Sequence, residues 1–421
     1  MPLTYERGSA ILGIHGLRGG TIMKIQLLAA AIVLLGTGSV AAEPLSIATW
    51  NVEAATAESV LKRADPIGRA AAAYRAATPD NALPQVIVLD EITSVVAAAE
   101  VARFLGYANA TVIATDHSND SDVWPNALEV GIVTTKTVVS VTSIEQQRNR
   151  EHPERDPLRP PFIYDLATSK VNNGTVEELR IPSQLPDAFV PRGILRVELE
   201  GGVVVYGVHL NSSGLGFCRP SEGVQGLIKA ANALGLVAKA IAVENAEKAV
   251  RQAMPKARNP GIAATTDEAL DRARSREASL GVVAERASAD VAAGKSVFVA
   301  GDFNTPFVEK CKTGKKLGED FRPLVGCSTG LTPETCGTTD GFDDSYAILT
   351  EALIGTVKFK SLTSGLGRTY VSTNFADSPI DNVFVAGPLA SRTFTAVKLS
   401  EPLDDNTVFA SDHHPVLVTS Q

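Results

Sequence analysis

The sequence is most informative at Ser296-Val-Phe-Val-Ala-Gly-Asp-Phe-Asn-Thr-Pro306, where an apolar run gives way to polar residues. The apolar run predicts a buried strand, and Gly301 permits a tight turn where that strand ends. Because Asp302 and Asn304 alternate, both side chains are expected on the same side of the chain. A carboxylate there can activate water, and an amide can donate to a developing oxyanion. An ordinary Asp/Asn turn after a strand accounts for the same residues equally well.

A second motif, Ala410-Ser-Asp-His-His-Pro-Val-Leu417, places adjacent Asp412 and His413 before the last apolar run. A histidine can act as an acid that contacts phosphate, and an aspartate can bind a metal ion. A polar loop that ends at a proline is the alternative. The chain has 6 histidines, and finding two of them side by side favours the functional interpretation.

Three further apolar runs also end in polar residues. They are Thr49-Trp50-Asn51, Leu89-Asp90-Glu91 and Val208-His209-Leu210-Asn211. Each one alone is explained by the caps and turns that collect at strand ends. Together they place acid–base groups and ligands for hard metal ions repeatedly at the C-terminal ends of apolar strands. That repetition predicts one shared site.

The pattern of strands and helices favours two packed sheets with helices on the outside. Strands are predicted at residues 45–50, 86–89, 194–200, 203–210, 296–300, 380–385 and 415–418, and helices at 59–77, 93–104, 221–253 and 266–293. Gly201-Gly202 predicts a hairpin between two of these strands, and Asn173-Gly174 predicts another within residues 168–181. Residues 145–161 are charged and rich in proline, which predicts a surface loop.

The composition is that of an ordinary globular protein, with 44% apolar and 20% charged residues. The formal net charge of −8 argues against tight, non-specific binding of nucleic acid through bulk charge. A phosphate-bearing substrate would therefore have to be held by a metal ion and by local basic groups.

The N-terminal region predicts export. Met23-Lys24 precedes an apolar run at 25–35 and small residues at 36–42, the pattern of a cleavable secretory signal. Residues 1–42 are interpreted as leader and signal peptide, and 43–421 as the mature domain, in the periplasm or outside the cell. No stable membrane insertion is expected after cleavage, and an uncleaved anchor is the alternative.

The four cysteines are expected to form two disulfides in an oxidising compartment. They are Cys218, Cys311, Cys327 and Cys336. Cys311 is expected to bond within 311–336 or to Cys218, while free buried thiols are the alternative.

The motifs, taken in order, resemble those of the endonuclease/exonuclease/phosphatase superfamily, the group of deoxyribonuclease-I-like proteins. The resemblance is carried by Thr49-Trp-Asn51, Leu89-Asp-Glu91, Val208-His-Leu210, Gly301-Asp-Phe-Asn304, Ile380-Asp381 and Ser411-Asp-His413. It covers about residues 45–418 and implies an exported, bacterial-type member. It also implies an α+β fold, a four-layer α/β/β/α sandwich of two packed mixed sheets flanked by helices, with a helical insertion around 221–293.

The resemblance further implies a role for each site residue. Metal binding is implied for Asn51, Glu91 and Asp412; catalysis for His209, Asp302, Asn304, Asp381, His413 and Glu129; and substrate binding for Arg192 and Asn211. Asp302 would orient or deprotonate the attacking water, and the two histidines would contact phosphate or protonate the leaving oxygen. Asp381 would hold the tautomer of His413, and Glu129 would pair with His209. The expected ion is Mg²⁺, with Mn²⁺ or Ca²⁺ as substitutes.

One residue departs from the family's pattern, which usually has glutamine where this chain has Asp90. The extra carboxylate would either recruit a second cation or hydrogen-bond to a neighbouring loop.

The predicted activity is metal-dependent hydrolysis of phosphodiesters, with nucleic acid as the first candidate substrate. A phosphomonoesterase or a phosphodiesterase of lipid headgroups or inositol phosphates is the second hypothesis, which the acidic net charge favours. A catalytically idle binding protein with the same fold is the third.

Overall fold

The computed structural model describes residues 44–115, 129–146, 158–179, 192–211, 266–305, 310–311, 322–323, 345–371, 379–399 and 411–421. The predicted signal peptide, the predicted helix at 221–253, most of the predicted loop at 145–161 and the side chains of all four cysteines lie outside this part of the chain.

The described residues form strands and helices that alternate early in the chain. The strands are β1 Ser46–Ala55, β2 Val86–Ile92, β3 Thr111–Ala114, β4 Glu129–Thr134, β5 Val138–Glu145, β6 Phe162–Asp165, β7 Val171–Asn173, β8 Thr175–Glu178, β9 Ile194–Leu199, β10 Val203–His209, β11 Ser296–Asp302, β12 Lys310–Cys311, β13 Arg322–Pro323, β14 Lys360–Ser361, β15 Asp381–Ala386, β16 Phe394–Lys398 and β17 Val416–Ser420. The α-helices are α1 Ala57–Lys62, α2 Ala64–Ala77, α3 Val95–Leu105, α4 Thr266–Ala292 and α5 Ser345–Thr350.

Two mixed sheets form the centre of the fold. Sheet A has the order β16-β17-β1-β2-β4-β3-β6-β7, and sheet B has the order β14-β15-β11-β10-β9-β5-β8. The pairs β1–β2, β10–β11 and β5–β8 are parallel, and the other paired strands are antiparallel. Strands β12 and β13 form a separate pair.

The core has three layers of apolar side chains. One lies between the sheets, where Val88 of β2 and Phe298 of β11 belong to the same cluster. Leu89 points to the opposite face of β2 and packs in a cluster with Leu105 of α3, while Tyr206 of β10 packs in another with α4 and α5. Because successive strand residues point to opposite faces, strands buried on both sides read as continuous apolar runs. The predicted four-layer α/β/β/α sandwich is confirmed.

The predicted hairpin at Gly201-Gly202 is confirmed, because β9 and β10 pair antiparallel across it. The predicted hairpin at Asn173-Gly174 is wrong. Strand β7 pairs with β6 in sheet A, whereas β8 pairs with β5 in sheet B, so the chain crosses between sheets at Gly174. Neither residue has the positive φ that a two-residue hairpin turn requires. A side chain at Gly174 would come within 2.9 Å of Pro161 and of the Val141 carbonyl, which explains the glycine.

The predicted helix at 59–77 is two helices, α1 and α2, which break at Arg63. The Arg63 guanidinium donates to the carbonyl of Val52 at 2.9 Å and to the hydroxyl of Ser59 at 2.9 Å. Helix α3 begins after Ser94, whose side chain accepts from the N–H of Ala97, and ends at Gly106. None of the helices in the described part of the chain combines the length and apolar character needed to cross a membrane.

Candidate active site

The site is formed where strands of both sheets end. In sheet A, the parallel pairing of β1 and β2 places Asn51 opposite Asp90, with Glu91 next along the chain. In sheet B, the parallel pairing of β10 and β11 places His209 opposite Asp302. Because the sheets pack face to face, the two pairs meet in the space between the strand ends.

One oxygen atom, Oδ2 of Asp302, lies at the centre of the site. The side-chain amide of Asn51 donates to it at 3.0 Å, and that of Asn304 donates to it at 3.1 Å. The Nε2 atoms of His209 and His413 each lie 3.8 Å away. Asp302 itself is 1% exposed. A single carboxylate oxygen thus stands between two amides and two imidazoles.

Asn304 reaches Asp302 through a turn rather than through continued strand alternation. Its φ is 52°, in the left-handed region, and its backbone N–H donates to Oδ1 of Asp302 at 2.7 Å. Its amide also donates to the carbonyl of Leu210 at 2.9 Å. The sequence motif therefore brings the two side chains together, as expected, but by a local hydrogen bond.

His413 and Asp381 form a buried pair. Nδ1 of His413 lies 2.9 Å from Oδ2 of Asp381, and Asp381 is fully buried. The hydroxyl of Ser411 accepts from the backbone N–H of His413 at 3.1 Å and donates to the carbonyl of Asn51 at 2.6 Å. Since Nδ1 is held by the carboxylate, Nε2 is the ring nitrogen that faces Asp302.

Burial and neighbouring charges shift the protonation of both groups. Burial raises the pKa of Asp302 above its usual value, although His413 opposes this and Asp381 adds to it. Burial lowers the pKa of His413, but the carboxylates of Asp381 and Asp302 outweigh burial and raise it well above its usual value. His413 therefore holds a proton more readily than an exposed histidine, and Asp302 holds one more readily than an exposed aspartate.

Asp90 joins the two sheets behind the site. Its Oδ2 accepts from the backbone N–H of Asp302 at 2.7 Å, and its side chain is fully buried. Among the described residues, its Oδ1 has no hydrogen-bond partner. Burial and the charge of Asp302 raise the pKa of Asp90 well above its usual value. The carboxyl group of Asp90 thus makes a hydrogen bond, as one of the two alternatives expected, but its donor is the last residue of a strand in the other sheet rather than a loop.

Oxygen ligands suited to a hard cation lie at the open side of the site. The side chains of Glu91 and Asp412 are 21% and 39% exposed, whereas the histidine and Asp302 side chains behind them are at most 6% exposed. Oε1 of Glu91 accepts from the amide of Asn51 at 3.1 Å, and Asp412 Oδ1 lies 3.9 Å from Nε2 of His413. Carboxylate and amide oxygens of this kind fit Mg²⁺, Mn²⁺ or Ca²⁺.

A second group of ligand atoms is formed by Asp302, Asp381 and His413, which bring one donor atom each within 4.8 Å of one another. Within this group, Nδ1 of His413 lies 2.9 Å from Oδ2 of Asp381.

Several residues with strained backbone conformations lie around the exposed side of the site. The residues with positive φ there are Glu53, Ala54, Glu91 and Asn304. Such conformations cost free energy in residues other than glycine, and they persist where the surroundings determine them. Here the N–H of Glu53 is held by Asn51 Oδ1 at 2.9 Å, and that of Ala54 by Glu91 Oε2 at 3.1 Å.

The remaining predicted site residues lie at the edge of this arrangement. Glu129 is buried and accepts from the hydroxyl of Thr115 at 2.7 Å. Arg192 donates to the carbonyl of Leu210 at 2.7 Å, the same oxygen that Asn304 contacts. The carbonyl of Asn211 accepts from Arg276 at 3.0 Å.

Two neighbouring residues, Thr369 and Tyr370, contact the Asp381–His413 pair and were not predicted. The hydroxyl of Thr369 accepts from the N–H of Asp381 at 3.1 Å, and the ring of Tyr370 lies 4.8 Å from that of His413. They follow no apolar run and belong to no motif, so the sequence carries no signal that separates them from other polar loop residues.

Comparison with known proteins gives a family match over most of the chain. The model of the Endonuclease/Exonuclease/phosphatase family matches residues 48–413. No curated protein matches the sequence.

Several solved structures are similar over most of their length at low sequence identity. Truncated TDP2 from Caenorhabditis elegans is 12% identical, with 90% of this chain and 97% of that chain covered and a TM-score of 0.39. The AP endonuclease LMAP from Leishmania major is 14% identical, with 90% and 88% covered and a TM-score of 0.42. Beta toxin from Staphylococcus aureus is 13% identical, with 89% and 99% covered and a TM-score of 0.41.

Proposed function

Because the chain belongs to the endonuclease/exonuclease/phosphatase family, we propose that it is a divalent-metal-dependent phosphodiesterase whose substrate is nucleic acid. The observation that supports this most directly is the position of Asp302, whose Oδ2 lies within 3.8 Å of both His209 Nε2 and His413 Nε2. A base and two potential proton donors around one point are what the cleavage of a phosphodiester requires.

Asp302 activates the attacking water in this proposal. Its carboxylate is held by the amides of Asn51 and Asn304, so the oxygen that accepts the proton is fixed in position. Its raised pKa makes it a better proton acceptor than an ordinary aspartate. Asn304 is the proposed contact for the scissile phosphate, and its amide would exchange one of its two present hydrogen bonds, to Asp302 or to Leu210, for that contact.

His413 supplies the proton for the leaving oxygen. Its Nδ1 is held by Asp381 at 2.9 Å, which directs Nε2 and its proton toward the reacting phosphate. The carboxylate also stabilises the protonated ring until the proton is transferred. His209, with Glu129 as its proposed partner, contacts a phosphate oxygen, and Arg192 and Asn211 bind the substrate next to Asn304.

Glu91, Asn51 and Asp412 are the residues that would hold the metal ion. When bound, a divalent cation neutralises charge on the phosphate and polarises it for attack. Glu91 and Asp412 lie at the exposed side of the site, which fits a phosphate that enters from solvent, and the buried Asn51 lies next to Glu91.

The proposed function is tested by measuring hydrolysis of bis-p-nitrophenyl phosphate, p-nitrophenyl phosphate, supercoiled plasmid, RNA, inositol phosphates and sphingomyelin vesicles by the purified protein. We expect nicking of the plasmid with Mg²⁺ and loss of activity with a chelator, which Mg²⁺ or Mn²⁺ restores. Preference for inositol phosphates, for sphingomyelin or for the monoester would support the second candidate function, which the acidic net charge favours.

Two variants and a matched control complete this test. Asp302→Asn and His413→Ala should each lower kcat by about 10²-fold or more, because each removes one proton-transfer group. His414→Gln, a change in the adjacent histidine, should stay within about threefold of the wild-type rate. Hydrolysis that is unchanged in His413→Ala would refute the assignment of the site, and no cleavage of any phosphodiester would refute the function.

We also propose that residues 1–42 are removed on export, that 43–421 form one domain, and that the cysteines form disulfides. N-terminal sequencing of protein recovered outside the cytoplasm should give Glu43 as the first residue. Mass spectrometry after alkylation without reductant should find fewer than four free thiols, and four would refute the disulfides.

A further inference from the structure

Residues 368–371 run alongside the loop 411–414 that carries His413. Tyr370 and His413 form an isolated antiparallel β-bridge. The N–H of Val371 donates to the carbonyl of Asp412 at 2.9 Å, and the N–H of His414 donates to that of Thr369 at 2.7 Å. We call residues 368–371 the support segment. The backbone on both sides of His413 is thus hydrogen-bonded to it.

The side chain of Thr369 is tied to the other member of the pair. It is fully buried, and its hydroxyl accepts from the N–H groups of Ile380 and Asp381, each at 3.1 Å. These N–H groups lie at the start of β15, in the backbone that carries the Asp381 side chain. Because one hydroxyl accepts from both, it holds the backbone of Asp381 in place relative to the support segment.

The side chain of Tyr370 contacts His413 directly. Their ring centroids are 4.8 Å apart with an interplanar angle of 62°, an edge-on contact. Asp381 holds the imidazole through Nδ1, and Tyr370 packs against the ring itself. Burial and the negative charge of Asp412 raise the pKa of the Tyr370 hydroxyl to about 12.

We propose that the support segment positions the Asp381–His413 pair for proton transfer, with Thr369 placing Asp381 and Tyr370 placing His413. The inference rests on the proposed function, because it concerns the same proton donor. It assigns to both residues a role in kcat rather than in substrate binding, since each acts through another side chain.

The chain contains a matched control for Thr369. Thr363 is also fully buried, and its hydroxyl accepts from a backbone N–H of β15, that of Val383, at 3.2 Å. It donates to the side chain of Asn382 at 2.9 Å and has no hydrogen bond to Asp381 in the described contacts. Replacing either threonine by valine removes a hydroxyl that accepts from the backbone of β15, but only Thr369 contacts the Asp381–His413 pair.

The first experiment measures kcat and KM for bis-p-nitrophenyl phosphate with Mg²⁺. Thr369→Val should lower kcat at least about 10-fold with KM within about twofold, and Thr369→Ser, which keeps the hydroxyl, should restore most of it. Thr363→Val should keep kcat within about threefold of wild type. Equal losses of kcat in the two valine variants, or none in Thr369→Val, would overturn the role of Thr369.

The role of Tyr370 is separated into ring and hydroxyl by two variants. Tyr370→Phe keeps the ring and should retain kcat within about threefold, whereas Tyr370→Leu should lower it at least about 10-fold. A rise in KM at unchanged kcat in Tyr370→Leu would mean that the ring contacts substrate, which would overturn the inference for this residue.

A second measurement does not depend on turnover. NMR of protein labelled with ¹⁵N-histidine detects the Nδ1 proton of His413. Its resonance is assigned by its absence from the spectrum of His413→Ala. Its resonance should shift or broaden in Thr369→Val and Tyr370→Leu and remain in Thr363→Val. An unchanged resonance in the first two variants refutes the inference even if no substrate is cleaved. If hydrolysis is lost in His413→Ala but unchanged in the Thr369 and Tyr370 variants, the role of the support segment is refuted while the proposed function stands.

Discussion

The carboxylate of Asp90 in sheet A accepts a 2.7 Å hydrogen bond from the backbone N–H of Asp302 in sheet B. The two residues are 212 positions apart in the sequence. The donor belongs to the residue proposed to activate water, so this bond fixes the backbone of the base from behind. A residue that departs from the family's usual glutamine thus takes a direct part in the geometry of the site.

Asp90→Ala should destabilise the protein and lower kcat together, because it leaves a buried N–H without an acceptor. The expected loss is about 1–3 kcal/mol in the free energy of unfolding, measured by urea denaturation. Asp90→Asn keeps an oxygen acceptor in the same place and should lose less of both. An alanine variant as stable and as active as wild type would show that the hydrogen bond is unimportant.

Asp381 and His413 should behave as one unit in a double-mutant cycle. His413→Ala is expected to lower kcat by about 10²-fold or more, and Asp381→Ala by a comparable factor, since a histidine without its carboxylate loses its orientation. The double variant should be no slower than His413→Ala within about threefold. If kcat in the double variant fell by the product of the two single-variant factors, the two side chains would act independently.

Gly301→Ala should destabilise the fold strongly. A Cβ at Gly301, whose φ is 147°, would stand 1.8 Å from the carbonyl oxygen of Val208 on β10. Strands β10 and β11 would have to separate at their site end, at an expected cost of about 3 kcal/mol or more in the free energy of unfolding. Gly68→Ala is the control, since nothing lies within 4 Å of its Cβ position in α2. There the helix should gain roughly 0.5–1 kcal/mol.

Asp290 should make stability depend on pH. It pairs with Arg196 and accepts from the hydroxyl of Tyr206 at 2.8 Å. Burial raises its pKa, but the hydrogen bonds from Arg196 and Tyr206 outweigh burial and lower it below its usual value. A lowered carboxyl pKa contributes stability above the unfolded-state value of about 4, and this contribution is lost as pH falls through the folded-state value.

Asp290→Asn should therefore be less stable than wild type at pH 7, by about 1.5–3 kcal/mol, and the difference should shrink below about pH 4. Urea denaturation at several pH values measures both. Glu200→Gln, which removes an exposed carboxylate, should show little difference at any pH. A constant difference for Asp290→Asn down to pH 3 would contradict the assigned ion pair.

The central strands and the polar residues at their ends could be predicted because they depend on local pattern, and the four-layer sandwich was implied by the resemblance to the family. Strands β3, β5 and β16 were not predicted. Buried strands read as apolar runs, and Asp302-Phe-Asn304 follows one directly. The crossing at Gly174 could not be predicted, because Asn173-Gly174 is also the pattern of a tight hairpin, and only the partner strands distinguish the two. The break at Arg63, in contrast, has a signal in the sequence, because Pro66 has no N–H and its ring would clash with the carbonyl of Lys62 if one helix continued.

The support segment escaped prediction for a related reason. Thr369 acts through its distance to two backbone N–H groups of β15, and Tyr370 through a ring contact across the chain. Neither contact leaves a periodic pattern in the sequence. The residues that carry chemistry were found from their type and spacing, whereas those that only hold them in place became visible with the fold.

The hydrogen bond between Asn51 and Asp302 joins the two sheets, so the geometry of the site depends on the distance between the sheets. The apolar layer between the sheets sets that width, and it lies behind the catalytic groups. Warming or mild denaturant that lets the layers slip by a fraction of an ångström should extinguish turnover while circular dichroism still reports intact strands. The protein would then lose activity before it unfolds, so its activity would report small changes in the packing between the two sheets.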